Sequence, residues 1–267
     1  MTLLCLKPSP YSRRVVWSLA LLGDAFHYNT EYFSSIVGEP ALRWRLGRWS
    51  LWEKVTVPVA FISDSKKELV LENGIEIVEW ANEHQSSSKT SLMPPTQRSE
   101  IIDYCRLADD FQNFDRSMFL KALAKDAPSI LRGVVGDGPP DIMLRIIGFV
   151  VGTFMRTKYQ STMQASTEEI QTKALKLEKE LAAKQQQYKN GLVYLVGAQL
   201  TAADIFMSVA ICGGVKDRSK KLTEHQITME ESKFSQGFSM EEKYPTLYQW
   251  AVDISEKHKV DYSLFEE

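Results

Sequence analysis

The stretch from Leu3 to Gly23 most constrains what this chain can fold into. Leu3-Leu4-Cys5-Leu6 is an apolar run of strand length. It gives way to Ser9-Pro10-Tyr11-Ser12-Arg13-Arg14-Val15-Val16-Trp17-Ser18-Leu19-Ala20-Leu21-Leu22-Gly23. Ser9 stands where an N-cap stands, and Pro10 takes the first helical position, where a missing N–H costs nothing. Val15, Val16, Leu19 and Leu22 recur at helical spacing, and Gly23 supplies the stop. A strand running into a Ser-Pro helix holds a hydroxyl at a helix mouth, where backbone N–H groups and the positive dipole end favour an anion. Two readings are open at this point: a capped helix and nothing more, or an anion site.

Two later stretches bear on that choice. Val55-Thr56-Val57-Pro58-Val59-Ala60-Phe61 puts a proline at the start of a β-branched, aromatic strand, where proline is tolerated, and X-Pro is the bond that readily goes cis. Glu68-Leu69-Val70-Leu71 reads as a further strand, and Asn73-Gly74-Ile75-Glu76-Ile77-Val78-Glu79-Trp80-Ala81 as a second capped helix. Far downstream, Tyr194-Leu195-Val196-Gly197-Ala198-Gln199-Leu200-Thr201-Ala202-Ala203-Asp204-Ile205 is a Gly-containing turn followed by a Thr-x-x-Asp capping box. Tyr244-Pro245-Thr246-Leu247-Tyr248-Gln249-Trp250 starts a late helix.

In this order the motifs resemble those of the serine-type cytosolic glutathione transferases, and the resemblance covers nearly the whole chain. It implies an α/β thioredoxin-like N-terminal domain over residues 1–85 and a linker over 86–96. An all-α C-terminal domain would follow over 97–267. It implies glutathione as co-substrate, an apolar electrophile as second substrate, a homodimer, and a detoxifying, cytoplasmic role. By the same resemblance Ser9 is the catalytic hydroxyl, donating to the glutathione sulfur. Tyr11, Ser12, Arg13, Lys54, Thr56, Val57, Pro58, Glu72, Asn73 and Gly74 border the tripeptide. Val57, before a cis Pro58, would pair its backbone with the tripeptide as an added strand. The chemistry is physically sound. A free thiol titrates near pH ~8.5, and each unit of depression is about 1.4 kcal/mol of preference for the thiolate. A hydroxyl donor at a helix N-terminus supplies such a preference. Ser9 itself is no nucleophile, because no base is indicated beside it. Ser9 and Ser12 also stand where a thiol-exchange enzyme needs cysteine.

One position departs from the family's pattern. Aligning Ile77, Glu79 and Trp80 with the family's Ile, Glu and Tyr places Asn73-Gly74 on its acidic-Ser pair for the γ-glutamyl group. Gly74 keeps the backbone N–H and lacks the hydroxyl, and a lost hydrogen bond to a charged group costs about 1.5–3 kcal/mol. A register one residue earlier gives Glu72-Asn73, which restores the acid alone. The alternatives to an enzyme are therefore a non-catalytic carrier of apolar or aromatic ligands, or a protein-interaction module on the same fold.

Charge and cysteines narrow the partners. The 267 residues carry a formal net charge of −2. No global field attracts nucleic acid or an acidic membrane, so both are disfavoured. Cys5, Cys105 and Cys212 are odd in number and widely spaced, with neither a disulfide framework nor metal-ligand spacing, so no metal is expected. No charged run precedes Leu3–Leu6, which is far short of a secretory core, and an intracellular chain is expected.

Elsewhere, Phe26-His27-Tyr28-Asn29-Thr30-Glu31-Tyr32-Phe33 alternates as a half-buried strand does. Arg43-Trp44-Arg45-Leu46-Gly47-Arg48-Trp49-Ser50-Leu51-Trp52 interleaves cations with indoles. Three readings stand for it: a helix whose indoles pack on the sheet, a carboxylate-binding border of the glutathione site, and nucleic-acid stacking. Residues 85–96 have linker composition. Periodicity predicts a helix over 98–125 with Cys105 on its buried face and Asp103, Asp109, Asp110 and Asp115 on a solvated one. Residues 133–140 read as loop. Ile142 to Met155 reads as an almost all-round apolar helix, too short for a bilayer, and thus a core helix or the wall of an apolar pocket. Ser166-Thr167-Glu168-Glu169 caps a long charged helix, and residues 213–238 form a polar connection.

Overall fold

The computed structural model describes residues 1–6, 9–23, 28–32, 38–50, 53, 55–64, 67–85, 91–135, 138–159, 166–187, 191–212 and 240–260. The chain forms two compact units. One comprises Met1–Leu107, Leu192–Gly214 and Ala251–Glu267, and the other Ala108–Gly191 and Val215–Trp250.

The first unit is built on a four-stranded sheet of β1 (Thr2–Cys5), β2 (Asn29–Tyr32), β3 (Val59–Asp64) and β4 (Lys67–Leu71), in the order β2-β1-β3-β4. β1 runs parallel to β2 and antiparallel to β3, and β3 runs antiparallel to β4. Side chains alternate between the two faces. Leu4, Val59 and Phe61 form one face and pack with Leu42 and Val55. Leu42 lies on helix α2 (Glu39–Arg45). Leu3 and Ala60, both fully buried, point to the other face.

Helix α1 (Pro10–Leu22) starts after Ser9 and stops at Gly23, whose φ of 75° is a conformation glycine adopts at little cost. It packs against α3 (Gly74–Glu83) and against α8 (Ala202–Cys212). Trp17 on α1 is fully buried, and its indole N–H donates to the His258 carbonyl at 2.9 Å. The Asn82 side chain on α3 accepts the Leu92 and Met93 amides at 2.8 and 3.2 Å, which ties the chain after α3 to that helix.

The start of α8 is organised by one carboxylate. Asp204 is fully buried and accepts the Leu195 amide at 2.7 Å, and the Thr201 amide and hydroxyl at 2.8 Å each. One half of the reciprocal capping box expected from Thr201-x-x-Asp204 is present, the carboxylate accepting the Thr201 amide. The Thr201 hydroxyl, however, donates to the carboxylate rather than accepting the Asp204 amide. Gly197 has φ 68°, a backbone conformation that side-chain-bearing residues rarely adopt, so glycine is favoured there.

The second unit holds most of α4 (Arg98–Lys125), then α5 (Ala127–Val135), α6 (Asp141–Tyr159) and α7 (Thr167–Gln187). The one-turn α9 (Met240–Lys243) leads into α10 (Pro245–Lys257), which continues into the first unit. Leu120, Leu123, Ile130, Leu131 and Leu144 form one core cluster. Ser166 caps α7 by accepting the Glu169 amide at 3.1 Å. Glu178 on α7 accepts the Thr246 and Leu247 amides at 3.0 and 2.6 Å, satisfying the open N-terminus of α10.

Three readings of local structure are corrected. Residues 133–135, expected as loop, continue α5 to Val135. Of the two readings of α6, core helix or wall of an apolar pocket, the first is corrected: only Leu144, Gly148 and Gly152 are buried on it, and one side is exposed. Its apolar residues are too numerous for one inner face. Of the three readings of the segment from Arg43 to Trp52, the packing of indoles on the sheet does not hold for Trp44 and Trp49, which are 70% and 75% exposed. Residues 24–27, 33–37, 86–90, 136–137 and 213–239, on which the expected second strand, linker and polar connection partly fall, lie outside the described residues.

Two outcomes are expected. Asp204→Ala leaves a buried hydroxyl and two amides without an acceptor and lowers stability by roughly 3 kcal/mol or more, read as a lower urea midpoint. His258 titrates below its ordinary range, first through burial and then through Lys257 beside it. Its Nε2 lies within hydrogen-bond distance, 3.0 Å, of the Tyr194 hydroxyl. Since the unfolded chain takes up this proton more readily, the stability is present above pH ~6.5 and is lost as pH falls through the lowered folded value. Urea midpoints between pH ~5 and ~7.5 should fall towards acid, less steeply in His258→Gln.

Candidate functional site

The register of the sheet brings the sequence-predicted residues to one edge. Leu4 near the end of β1 pairs with Val59 at the start of β3, and Ala60 pairs with Leu71 at the end of β4. The chain therefore leaves β1 towards Ser9, enters β3 through Val57-Pro58, and leaves β4 towards Glu72-Asn73-Gly74 on the same side. Val57-Pro58 is cis. Val57 is half-buried against the sheet cluster, and Thr56 is half-buried beside it.

Ser9 is the N-cap residue of α1 with extended backbone, φ −77° and ψ 122°, and its side chain makes no cap hydrogen bond. The Ser12 and Arg13 amides are instead taken by the Ser9 carbonyl, at 3.1 and 3.0 Å. With Pro10 lacking an N–H, the mouth of α1 offers an anion fewer backbone donors than the sequence suggests. The half-buried Ser9 hydroxyl and the helix dipole remain.

Ser12 is differently placed. It is buried, and its hydroxyl accepts the Leu6 amide at 3.0 Å, bracing the end of β1 against α1. It also hydrogen-bonds Cys5, whose thiol is nonetheless pushed up to about 12, because burial penalises the thiolate more than Ser12 helps it. Tyr11 and Arg13 are half-buried on the first turn of α1. Lys54 lies outside the described residues.

At the start of α3 the polar groups are committed. Asn73 is the N-cap and accepts the Ile75 amide at 2.9 Å. Glu72 accepts from Arg48 at 2.6 Å. Gly74 is buried, and a Cβ on it would lie 3.0 Å from Val15 Cγ2, so its lack of a side chain lets α3 approach α1. Both registers weighed from the sequence thus meet residues with structural work: the acid is paired, and the Asn caps a helix.

Two residues of this region lay beyond the sequence reading. Arg14 is buried, with its guanidinium 4.8 Å from the Tyr11 ring centroid and 4.3 Å from that of Phe206, a cation–π sandwich joining α1 to α8. Its signal was a cation at the start of the apolar stripe. Arg48 was legible only as one cation among several. Its neighbours are also engaged: Arg43 with Glu39 at 2.8 Å and with the Ser50 carbonyl at 2.6 Å, and Arg45 with Glu31 at 3.3 Å and over the Phe61 ring. Each of these contacts orients a basic side chain on the segment from 43 to 48.

Comparison with known proteins adds a fold. No protein-family model and no curated protein matches the sequence. Among solved structures, the yeast prion protein Ure2p in complex with S-hexylglutathione is similar at 17% identity, with a TM-score of 0.51 over 96% of each chain. The tau class glutathione S-transferase of mango (Mangifera indica) is similar at 16% identity and a TM-score of 0.52, over 95% of this chain and 87% of that one. A glutathione S-transferase of Xanthobacter autotrophicus Py2 is similar at 13% identity and 0.52, over 95% and 91%. The chain has the glutathione-transferase fold: a small mixed sheet with a thioredoxin-like arrangement, and a helical remainder.

The thiols are expected to be separable from this edge. Cys5 and Cys105 are fully buried, while Cys212 is half-exposed with its Sγ 3.1 Å from the Ser208 carbonyl. Iodoacetamide on the native protein near pH ~8 should alkylate Cys212 alone among the three. Rapid modification of Cys5, read by mass spectrometry, would contradict its burial.

Proposed function

We propose that this chain is a glutathione-dependent transferase in which the Ser9 hydroxyl stabilises the glutathione thiolate for attack on an apolar electrophile. The observation that carries this reading is Ser9 itself. It sits at the mouth of α1, its hydroxyl is not spent on the cap, and it shares a sheet edge with Val57 and the start of α3. The fold likeness to glutathione transferases supports the substrate class. In this reading the backbone of Val57 pairs with the cysteinyl part of the tripeptide. Thr56, Lys54 and the first turn of α1, with Tyr11 and Arg13, border it, the buried Ser12 bracing β1 beneath them, and the α3 start takes the γ-glutamyl end. The cytoplasmic, homodimeric enzyme implied by the resemblance belongs to the same proposal, as does a division into residues 1–85 and 97–267.

One observation favours a second reading, a carrier of apolar ligands that does not turn over glutathione. Glu72 is paired with Arg48, Asn73 caps α3, and Gly74 has no hydroxyl, so the γ-glutamyl end meets backbone N–H groups and few free side-chain partners.

Calorimetric titration with glutathione, on wild type and Ser9→Ala, separates the two. The transferase reading expects both to bind and the bound thiol, followed by thiolate absorbance, to titrate roughly 1–2 units higher in Ser9→Ala, the equivalent of losing about 1.5–3 kcal/mol of hydrogen bonding to the anion. Turnover with an apolar aryl halide near neutral pH should drop about tenfold or more in the variant. Absence of glutathione binding in wild type sinks the proposal, and tight binding of apolar dyes without turnover assigns the carrier role.

A further inference from the structure

The α5–α6 pair raises a separate question, since it shares no residue with the site above. α6 leaves a row of large apolar side chains outside the core: Ile142 is 67% exposed, Ile146 60% and Phe149 75%, with Met143, Val150 and Phe154 also exposed. At roughly 3.6 residues per turn these lie on one side of the helix, and only Thr153 and Thr157 share that side. The opposite side is closed. Leu144 is buried in the core cluster, and a Cβ at Gly148 would overlap the Ala127 methyl of α5, so α6 seats its bare backbone on that methyl.

The borders of the exposed side are basic. By the same helical projection Arg145 and Arg156 stand along one border and Lys158 along the other. Arg145 and Arg156 line a groove of about 400 Å³ together with Lys125 from the end of α4, and Phe149 forms part of its wall. Among the described residues the side chains of Lys125, Arg145 and Arg156 have no ion pair or hydrogen bond. The groove's carboxylate, Asp126, accepts the Ser129 hydroxyl at 2.5 Å. Asp141, the acidic residue of α6, is paired with Arg132.

We infer that α6 lies on an anionic lipid surface, its apolar side among the acyl chains and its border cations at the headgroups, with a lipid phosphate in the groove between Lys125, Arg145 and Arg156. The charge pattern selects this occupant. In a two-fold contact through this face a second copy of the chain would bring the same cations to the same borders, while the α6 carboxylate, Asp141, is already paired with Arg132. An anionic bilayer meets both the apolar side and the cations, and long Arg and Lys stems let the charges reach outwards from a buried helix side. The overall charge of −2 is no obstacle, because fields at a surface act within a Debye length, about 8 Å at physiological salt. Nor does the helix need to span: no described helix is long and apolar enough to cross a membrane.

The test is flotation of the full chain with phosphatidylcholine vesicles, with and without phosphatidylserine. The chain should float only with phosphatidylserine present, and less so as salt is raised. Ile146→Ser/Phe149→Ser should abolish flotation. Arg145→Gln/Arg156→Gln should weaken partitioning roughly fivefold for each charge removed, while Arg145→Lys/Arg156→Lys should retain it. Far-UV circular dichroism checks that each variant is folded, and the two arginine pairs, being exposed, keep the test decisive if the serine pair is not. Flotation independent of phosphatidylserine, or unchanged in Arg145→Gln/Arg156→Gln, overturns the inference. So does a chain that ignores vesicles and is a dimer that Ile146→Ser/Phe149→Ser converts to monomer, which would give the face to a second copy.

Discussion

The pairing of β1 with both β2 and β3 is the constraint from which the candidate site follows. A short strand with partners on both sides and cover on both faces has one register, because a slip by one residue would exchange Leu3 and Leu4 between faces. With that register fixed, the start of α1, the entry to β3 and the exit from β4 come to one edge. Three stretches that are tens of residues apart in the chain are thereby brought together by the backbone ladders of the sheet.

The polar groups around that edge divide into those already engaged and those left over. Ser12 braces β1, Asn73 caps α3, Glu72 meets Arg48, and Arg14 is sandwiched between two rings. Asp204 acts in the same way at the start of α8, holding a turn and a helix with one carboxylate. Ser9 differs in that its backbone does the capping while its hydroxyl is not needed for it. Its hydroxyl is thus held at a helix N-terminus without a part in the local cap. The functional reading rests on that contrast.

Small residues decide how the second unit is finished. Gly148 and Gly152 let α6 settle against its neighbours, and so its inner side needs few large side chains to close. The remaining apolar residues of α6 then have no core position to occupy. Bordered by cations, they give this helix two distinct apolar sides, of which the protein uses one in its own core.

Much of the fold was legible along the chain. The Ser9-Pro10 start and Gly23 stop of α1, the Val57-Pro58 entry to β3, the Asn73 cap and the Thr201-x-x-Asp204 box are local devices. Each works through the backbone of its own few residues, so each is readable in order. The candidate residues Ser9, Val57 and Gly74 were legible for the same reason. What the sequence could not show were relations between distant residues. Nothing near Glu72 announces Arg48, and nothing near Arg14 announces Phe206, because those contacts exist only once helices and strands have packed. Nor could the apolar run from Ile142 to Phe154 reveal which of its sides would be buried. Hydrophobicity is a property of the residue, whereas burial is decided by what the fold places against it, and here α5 covers one side and leaves the other exposed.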